Sequence, residues 1–129
     1  MRIRRLTDDE HNLHRTIRLR ALEESPDSFG QDFEAEQEKP MSHWAQQTDA
    51  VTRVGGHSMF LACDGDEVYG SVYGLLSRTR IDGVRVGGLW VDPSRRKRGL
   101  GRSLTETVFS WALQRNRTHI GLWVHRSDE

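Results

Sequence analysis

The chain has 129 residues, of which 35% are hydrophobic and four are tryptophan. We interpret it as one compact domain over residues 1–129, because this length supports a single modest core. Nineteen basic residues balance nineteen acidic ones, so net charge gives no pull toward nucleic acid. No apolar stretch is long enough to span a membrane, and the chain starts without an apolar signal core. With the single Cys63, which excludes an internal disulfide, these features predict a cytoplasmic protein without nucleic-acid or membrane partners.

The chain opens with a short strand pattern followed by a helix pattern. We expect the strand over residues 3–6, with Thr7 capping the helix and Glu10 completing a capping box. The apolar stripe of this helix recurs at helical spacing, at Leu13, Ile17, Ala21 and Leu22. Proline and glycine within residues 25–30 then predict a loop.

A second helix and a series of strands follow. Pro40 suits the first turn of that helix. Residues 58–63 and 68–76 have strand character, and the Asp-Gly-Asp-Glu segment between them is typical of a hairpin. The remaining predicted elements are a strand over residues 84–92, a helix beginning at Leu100 and a strand over residues 119–125. This order, β-α-α-β-β-β-α-β, predicts an α+β domain with layered helices around a central, mixed and mostly antiparallel sheet.

The most informative stretch, residues 91–103, joins a strand to a helix through a basic turn that contains two glycines. The first-turn N–H groups of a helix lack intrahelical partners and carry the positive end of the dipole, so residues 98–103 should hold a phosphate or pyrophosphate. A Walker loop fits less well because the chain has no Gly-Lys pair, and a dinucleotide fingerprint lacks its third glycine at Leu104. A solvated basic run is the simpler alternative, but it explains neither the strand before the turn nor the apolar helix after it.

The same stretch matches the pattern V-x-P-x-x-R-x-x-G-x-G at Val91, Pro93, Arg96, Gly99 and Gly101. This pattern resembles the acetyl-CoA pyrophosphate loop of the GNAT N-acetyltransferase family. The resemblance implies acetyl-CoA as co-substrate and no metal. It also implies a set of co-substrate-binding residues: Trp90, Val91, Arg96, Lys97, Arg98, Gly99, Leu100, Gly101, Arg102 and Ser103.

The predicted order of elements also resembles the GNAT fold, from its first strand through its fifth. Family members continue with a further helix, which often has a tyrosine acting as general acid, and with two more strands. This sequence stops at Glu129, so relative to the family we expect a C-terminally incomplete domain. We also expect the chain to form a homodimer through the apolar edge of residues 120–124, because an uncovered strand edge can pair with another chain.

The activity implied by the resemblance is transfer of an acetyl group to a primary amine of a small molecule or peptide, by direct attack on the thioester. In the family, a bulge in the fourth strand offers a backbone N–H to the developing oxyanion. Leu89 and Val91 match those positions, and the oxyanion donor is expected at Leu89. Gly87 and Gly88 are consistent with a bulge or with a merely weak strand.

The base that deprotonates the amine is not evident in the sequence. Many relatives place a glutamate on the fourth strand, where this chain has Arg85, which cannot accept a proton. Other candidates are Glu34, Glu36, Asp82, His57, His119 and His125. A non-catalytic acyl-CoA-binding or protein-interaction module is therefore the alternative to an enzyme.

Acidic residues crowd the segment that lines the acceptor cleft in relatives: Glu23, Glu24, Asp27, Asp32, Glu34, Glu36 and Glu38. An acidic rim would favour a cationic acceptor such as a polyamine, aminoglycoside, peptide terminus or lysine. A solvated helix face and loop would give the same composition.

Overall fold

The structure, a computed structural model, describes residues 1–24 and 33–122. Its strands are β1 (Arg2–Arg5), β2 (Ser58–Asp64), β3 (Glu67–Leu76), β4 (Gly83–Val91) and β5 (His119–Leu122). They form one sheet in chain order, antiparallel throughout except for the parallel pair of β4 and β5. The predicted mixed, mostly antiparallel sheet is therefore confirmed.

In the described part of the chain the sheet is flanked by the α-helices α1 (His11–Glu24), α2 (Phe33–Gln37), α3 (Met41–Thr52) and α4 (Leu100–Gln114). Pro40 lies at the cap position just before α3, and its carbonyl accepts the first hydrogen bond from His43 N at 3.0 Å. The five-residue α2 was not predicted, because a single helical turn is too short to show an apolar period. The predicted loop over residues 25–30 lies outside the described residues.

The prediction that Thr7 caps α1 is wrong, because the helix begins four residues later. Thr7 N does donate to Glu10 Oε1 at 2.9 Å, as in a capping box, but a tight turn separates Thr7 from the helix. Glu10 O accepts the first helical hydrogen bond from His14 N at 2.9 Å. The Glu10 carboxylate also binds both terminal nitrogens of Arg4, at 2.7 and 2.8 Å, which fixes β1 to the start of α1.

The sheet has a hydrophobic core on each face. One core packs α1 and α3 against the sheet and includes Cys63 as a buried free thiol. The other packs the predicted apolar stripe of α4 against β2, β3 and β4, and its members are Leu100, Leu104, Val108, Trp111 and Ala112. Leu104 is fully buried and Trp111 is 7% exposed, so the predicted packing of α4 is confirmed.

The described part of β5 pairs with residues 83–86 of β4. The rest of the predicted strand, with Trp123 and Val124, lies outside the described residues. Within residues 1–24 and 33–122, no helix is long and apolar enough to cross a membrane.

Candidate active site

Strand β4 contains a bulge near its C-terminal end. Ser71 pairs with Trp90, and Tyr73 pairs with Gly87. Between these two pairs β3 has one residue and β4 has two. Gly88 and Leu89 consequently lie opposite the single residue Val72. Such an extra residue interrupts the regular ladder and bends the strand. Gly87 and Gly88 were consistent with either a bulge or a weak strand, and the structure shows the bulge.

Glycine is required at the bulge for two reasons. Gly88 has a φ of +58°, which favours glycine over residues with a side chain. A Cβ at this position would also lie 2.6 Å from Cδ2 of Tyr73 and 3.2 Å from a guanidinium nitrogen of Arg18. The backbone of β4 therefore touches the Tyr73 ring directly, and both groups border the same open space.

That space is a cavity of about 570 Å³ between the sheet and α1, α2 and α3. Its floor is the bulge, with Gly87, Gly88 and Tyr73. Its walls are His14 and Arg18 from α1, Glu36 from α2, His43, Trp44, Gln47, Ala50 and Val51 from α3, with Lys39, His57 and Leu75 beside them. The volume lies in the range of small-molecule sites, so the cavity, which we call the acceptor cavity, can hold a small amine or the end of a peptide.

A buried hydrogen-bond chain ends at this cavity. His14, which is 2% exposed, has Nδ1 3.0 Å from Thr48 Oγ1 and Nε2 2.7 Å from Tyr73 Oη. The buried Thr48 hydroxyl has no other partner among the described residues, so it donates to Nδ1. The neutral ring then has its proton on Nε2 and donates it to Tyr73, which leaves the Tyr73 O–H to donate into the cavity.

The protonation states agree with this direction of hydrogen bonding. Burial, and secondarily the positive charges of Arg18 and His43, lower the pKa of His14 to about 4. Burial raises the pKa of Tyr73 to about 12, so the phenol keeps its proton at neutral pH. His14 is accordingly a fixed neutral support for Tyr73.

On the other side of the bulge lies the predicted pyrophosphate loop. Gly99 caps α4 with a φ of +79°, a left-handed conformation that favours glycine. The Gly99 carbonyl accepts the first hydrogen bond of the helix, from Ser103 N at 3.0 Å. The N–H groups that precede Ser103 in this turn therefore have no partner within the helix and are open to an anion. A Cβ at Gly101 would lie 3.7 Å from Leu89 Cδ2 and 3.8 Å from Val91 Cγ2, which places the start of α4 directly beside the bulge.

The predicted basic side chains take different positions around this loop. Arg98 and Ser103 line a second cavity of about 320 Å³ with Leu100 and Arg95, where a charged part of a large ligand could lie. Arg102 is exposed and pairs with Glu106 at 2.9 Å, while Arg96 Nε donates to the Val91 carbonyl at 2.9 Å. Lys97 is exposed, with a left-handed φ of +64°.

The side chain of Trp90 cannot contact a ligand bound at this loop. The ring is 2% exposed within the core under α1, and its Nε1 donates to Glu24 Oε2 at 2.8 Å. Only the Trp90 backbone, next to the bulge, could take part in the predicted binding.

Asp92 anchors the loop that follows β4. Its carboxylate accepts from Ser94 N at 2.9 Å and Ser94 Oγ at 2.6 Å, and it also pairs with Arg20 of α1. These hydrogen bonds, chiefly from Ser94, hold the pKa of Asp92 below its usual range. Sequence reasoning missed this residue, although an Asp-Pro-Ser turn directly after a strand is a recognisable capping signal.

The candidate bases lie in different parts of the structure. Only Glu36 and His57 line the acceptor cavity; Asp82 pairs with Arg80 beyond the start of β4, Glu34 and His119 are exposed, and His125 lies outside the described residues. His57 Nδ1 accepts the Leu76 N–H at 2.9 Å, so the neutral ring has its proton on Nε2 and no basic nitrogen facing the cavity. Burial first, and the charges of nearby arginines second, lower the pKa of His57 further.

The expected acidic rim is not found among the described residues. Of the acidic group singled out in the sequence, Glu36 alone lines the acceptor cavity, and Lys39 and His43 lie 3.2 and 3.5 Å from its Oε2. Glu24 faces Trp90 and Arg20 instead, and Asp27 and Asp32 lie outside the described residues.

Comparison with known structures gives the same fold. A protein from Staphylococcus aureus described as a GNAT family acetyltransferase aligns with a TM-score of 0.70 at 18% identity, over 94% of this chain and 98% of that one. A predicted acetyltransferase from Clostridium acetobutylicum, solved with acetyl-CoA, gives 0.74 at 13% identity, over 98% and 82%. The aminoglycoside N-acetyltransferase AAC(6')-Iy in complex with CoA gives 0.75 at 14% identity, over 98% and 78%.

A comparison with curated protein sequences finds no significant match. The sequence model of the Acetyltransferase (GNAT) family, in contrast, matches residues 17–129, which include the bulge, the loop and α4. Because this match spans most of the chain and the fold agrees with it, the protein belongs to the GNAT family and is an acetyl-CoA-dependent acetyltransferase.

Proposed function

We propose that the chain transfers an acetyl group from acetyl-CoA to a primary amine of a small molecule or peptide, by direct attack of the amine on the thioester. The observation on which this proposal depends is the position of the β4 bulge. Gly87 and Gly88 border the acceptor cavity, and Leu89 beside them lies next to the start of α4, with its Cδ2 3.7 Å from where a Cβ on Gly101 would be. Two substrates bound on either side would bring their reacting atoms together at the bulge.

Acetyl-CoA supplies the activated acetyl group, and its pyrophosphate fits the open N–H groups between Gly99 and Ser103. In this proposal Arg98 and Arg102 add positive charge, and the remaining co-substrate contacts come from Trp90 through its backbone, Val91, Arg96, Lys97, Leu100 and Gly101. The Leu89 N–H donates to the thioester oxygen as it becomes an oxyanion. A fixed backbone donor of this kind costs no reorganisation during the reaction.

Glu36 is the group that we assign to remove the ammonium proton, directly or through water, because it is the one carboxylate that the described residues place in the acceptor cavity. Tyr73 is the donor that faces the reacting groups. A phenol with a pKa of about 12 holds its proton against a thiolate, whose usual pKa is about 8.5. Tyr73 therefore acts by hydrogen bonding to the leaving sulfur or to the acceptor.

We also propose a cytoplasmic location, which is supported by the single, buried and unpaired Cys63.

An assay of radiolabelled acetyl transfer across a panel of primary amines tests the function, with calorimetric titration of CoA beside it. We expect CoA to bind and at least one amine to be acetylated. Binding of CoA without transfer to any amine would favour the alternative of an acyl-CoA-binding module.

The Glu36→Gln variant tests the proposed base. Loss of the base should lower kcat by about 10²–10⁴-fold, while CoA binding is retained. A kcat unchanged from wild type in this variant would exclude Glu36 as the base.

A further inference from the structure

Charged side chains lie near both ends of the acceptor cavity, and at one end they already neutralise one another. Glu36 lies at one end with His43, the first residue of α3 that borders the cavity. His57 lies at the other end. Its backbone N–H donates at 3.0 Å to the carbonyl of Ala50, which is seven residues after His43 in α3. At 1.5 Å per helical residue, the two ends are about 10 Å apart.

Arg85 lies on the cavity side of the sheet. Its neighbours Val84 and Val86 pack into the core under α4, so by strand alternation Arg85 points to the opposite face. Its register partner Leu75 lines the acceptor cavity, as does Gly87 two residues along the same strand. Arg85 is exposed, and no carboxylate of the described residues pairs with it.

A second exposed arginine belongs to this end. Arg78 and Arg85 both lie close enough to His57 to lower its pKa by their positive charge, after the larger effect of burial. A third nearby arginine, Arg53, is already paired with Asp49 at 2.7 Å. The His57 end of the cavity is therefore positive, whereas Glu36 at the far end already has Lys39 3.2 Å from its carboxylate.

We propose that the acceptor is a primary amine that also has a carboxylate, such as a short peptide with a free C-terminus, and that this carboxylate binds against Arg85 at the His57 end. The inference rests on the proposed function, since it names the class of acceptor for the same site. Trp44 and Leu75 add apolar surface to the cavity lining, which suits a hydrophobic side chain on the acceptor. Of the acceptors that the acidic sequence segment suggested, the peptide terminus is compatible with this class, whereas polyamines and aminoglycosides have no carboxylate.

A matched pair of acceptors tests the proposal: glycylphenylalanine and its C-terminal amide, which share the amine and the shape and differ in one negative charge. We expect kcat/KM for the acid to exceed that for the amide by about tenfold or more, the contribution of a hydrogen bond to a charged group. Arg85→Gln should remove most of this preference, and Arg85→Glu should reverse it. Arg2→Gln, at an exposed position on β1 away from the cavity, is the control and should leave the preference intact.

Calorimetric titration of both peptides into the CoA-bound protein makes the test independent of turnover. Tighter binding of the acid, lost in Arg85→Gln, would support the proposal even if neither peptide were acetylated; absence of acetylation would count against the proposed function alone. Equal affinity for acid and amide, binding of neither, or a preference that survives Arg85→Gln would overturn the inference.

Discussion

At the residue scale, Gly101 tests where acetyl-CoA lies. A Cβ there would make ordinary contacts with Leu89 and Val91, so the folded protein has room for alanine. Valine would extend further toward the bulge, into the space that acetyl-CoA would cross between the proposed pyrophosphate site and the Leu89 N–H. We expect Gly101→Val to lower the affinity for acetyl-CoA at least about tenfold, since lost contacts of 1–2 kcal/mol suffice. Gly101→Ala is the milder control, and calorimetry on both folded variants makes the comparison; wild-type affinity in Gly101→Val would contradict the assignment.

The buried His14 predicts a loss of stability in mild acid. Its pKa is about 4 in the folded protein, below the usual value of 6.5, so the unfolded chain binds the proton more readily. The contribution of His14 to stability should therefore be complete above about pH 6.5. On acidification the free energy of unfolding should fall by about 2 kcal/mol by about pH 5. Glu10, whose pKa is lowered to about 2 chiefly by Arg4, loses its contribution only in stronger acid, below about pH 4.5.

Urea unfolding of wild type and His14→Gln at about pH 7 and pH 5 measures this effect. The glutamine variant does not titrate, so the difference in stability between the two proteins should shrink on acidification. An equal pH dependence in both proteins would mean that His14 is not the responsible group.

Sequence reasoning at this scale predicted the local strand-turn-helix geometry of the loop and missed contacts that only the fold assembles. Residues 91–103 form the predicted loop because the strand end, the glycines and the helix start are neighbours in the chain. His14 and Tyr73 are 59 positions apart and meet only when α1 packs on the sheet, so no spacing signals their contact. The role proposed for Glu36 likewise depends on the short α2, which brings this residue to the cavity.

At the scale of elements, α4 should contribute a large share of the stability. Leu104 is fully buried between α4 and the sheet, and it lies within 3.0 Å of where a Cβ on Gly70 would be. Leu104→Ala should lower the free energy of unfolding by about 2–5 kcal/mol, because it removes buried methyl groups and leaves a cavity. Leu113→Ala on the exposed face of the same helix is the control and should cost less than about 0.5 kcal/mol. Denaturant titration of the two variants compares them; similar losses would contradict the packing.

The longer elements and the short β1 were predictable, whereas the single-turn α2 was not. The four-and-three spacing of α4, and the strand character on either side of the Asp-Gly-Asp-Glu turn, gave nearly the observed bounds of α4, β2 and β3. The bulge in β4 was suggested by two adjacent glycines, but only the register against Tyr73 distinguishes it from a weak strand. The start of α1 was misplaced because Thr7 and Glu10 satisfy a capping pattern inside a turn.

At the scale of the whole molecule, β5 is the last strand of the sheet. Among the described residues it pairs with β4 alone, and its other edge has no strand partner. Association through the edge of residues 120–124 stays a prediction, since an open edge can pair with a second copy. Light scattering over a dilution series should give a mass that rises from monomer to dimer with concentration. A constant monomer mass at every concentration would rule out this association.

The central claim is that acetyl transfer takes place at the β4 bulge, with the Leu89 N–H as oxyanion donor. The most direct measurement compares kcat for Leu89→Pro, which lacks the N–H, with kcat for Leu89→Ala, which keeps it. Leu89 is 41% exposed, so either substitution removes little buried surface, and retained CoA affinity reports that the loop is intact. We predict that the proline variant is slower by about 10²–10³-fold, the usual effect of losing one oxyanion donor. Equal kcat in the two variants, with CoA still bound, would contradict the claim.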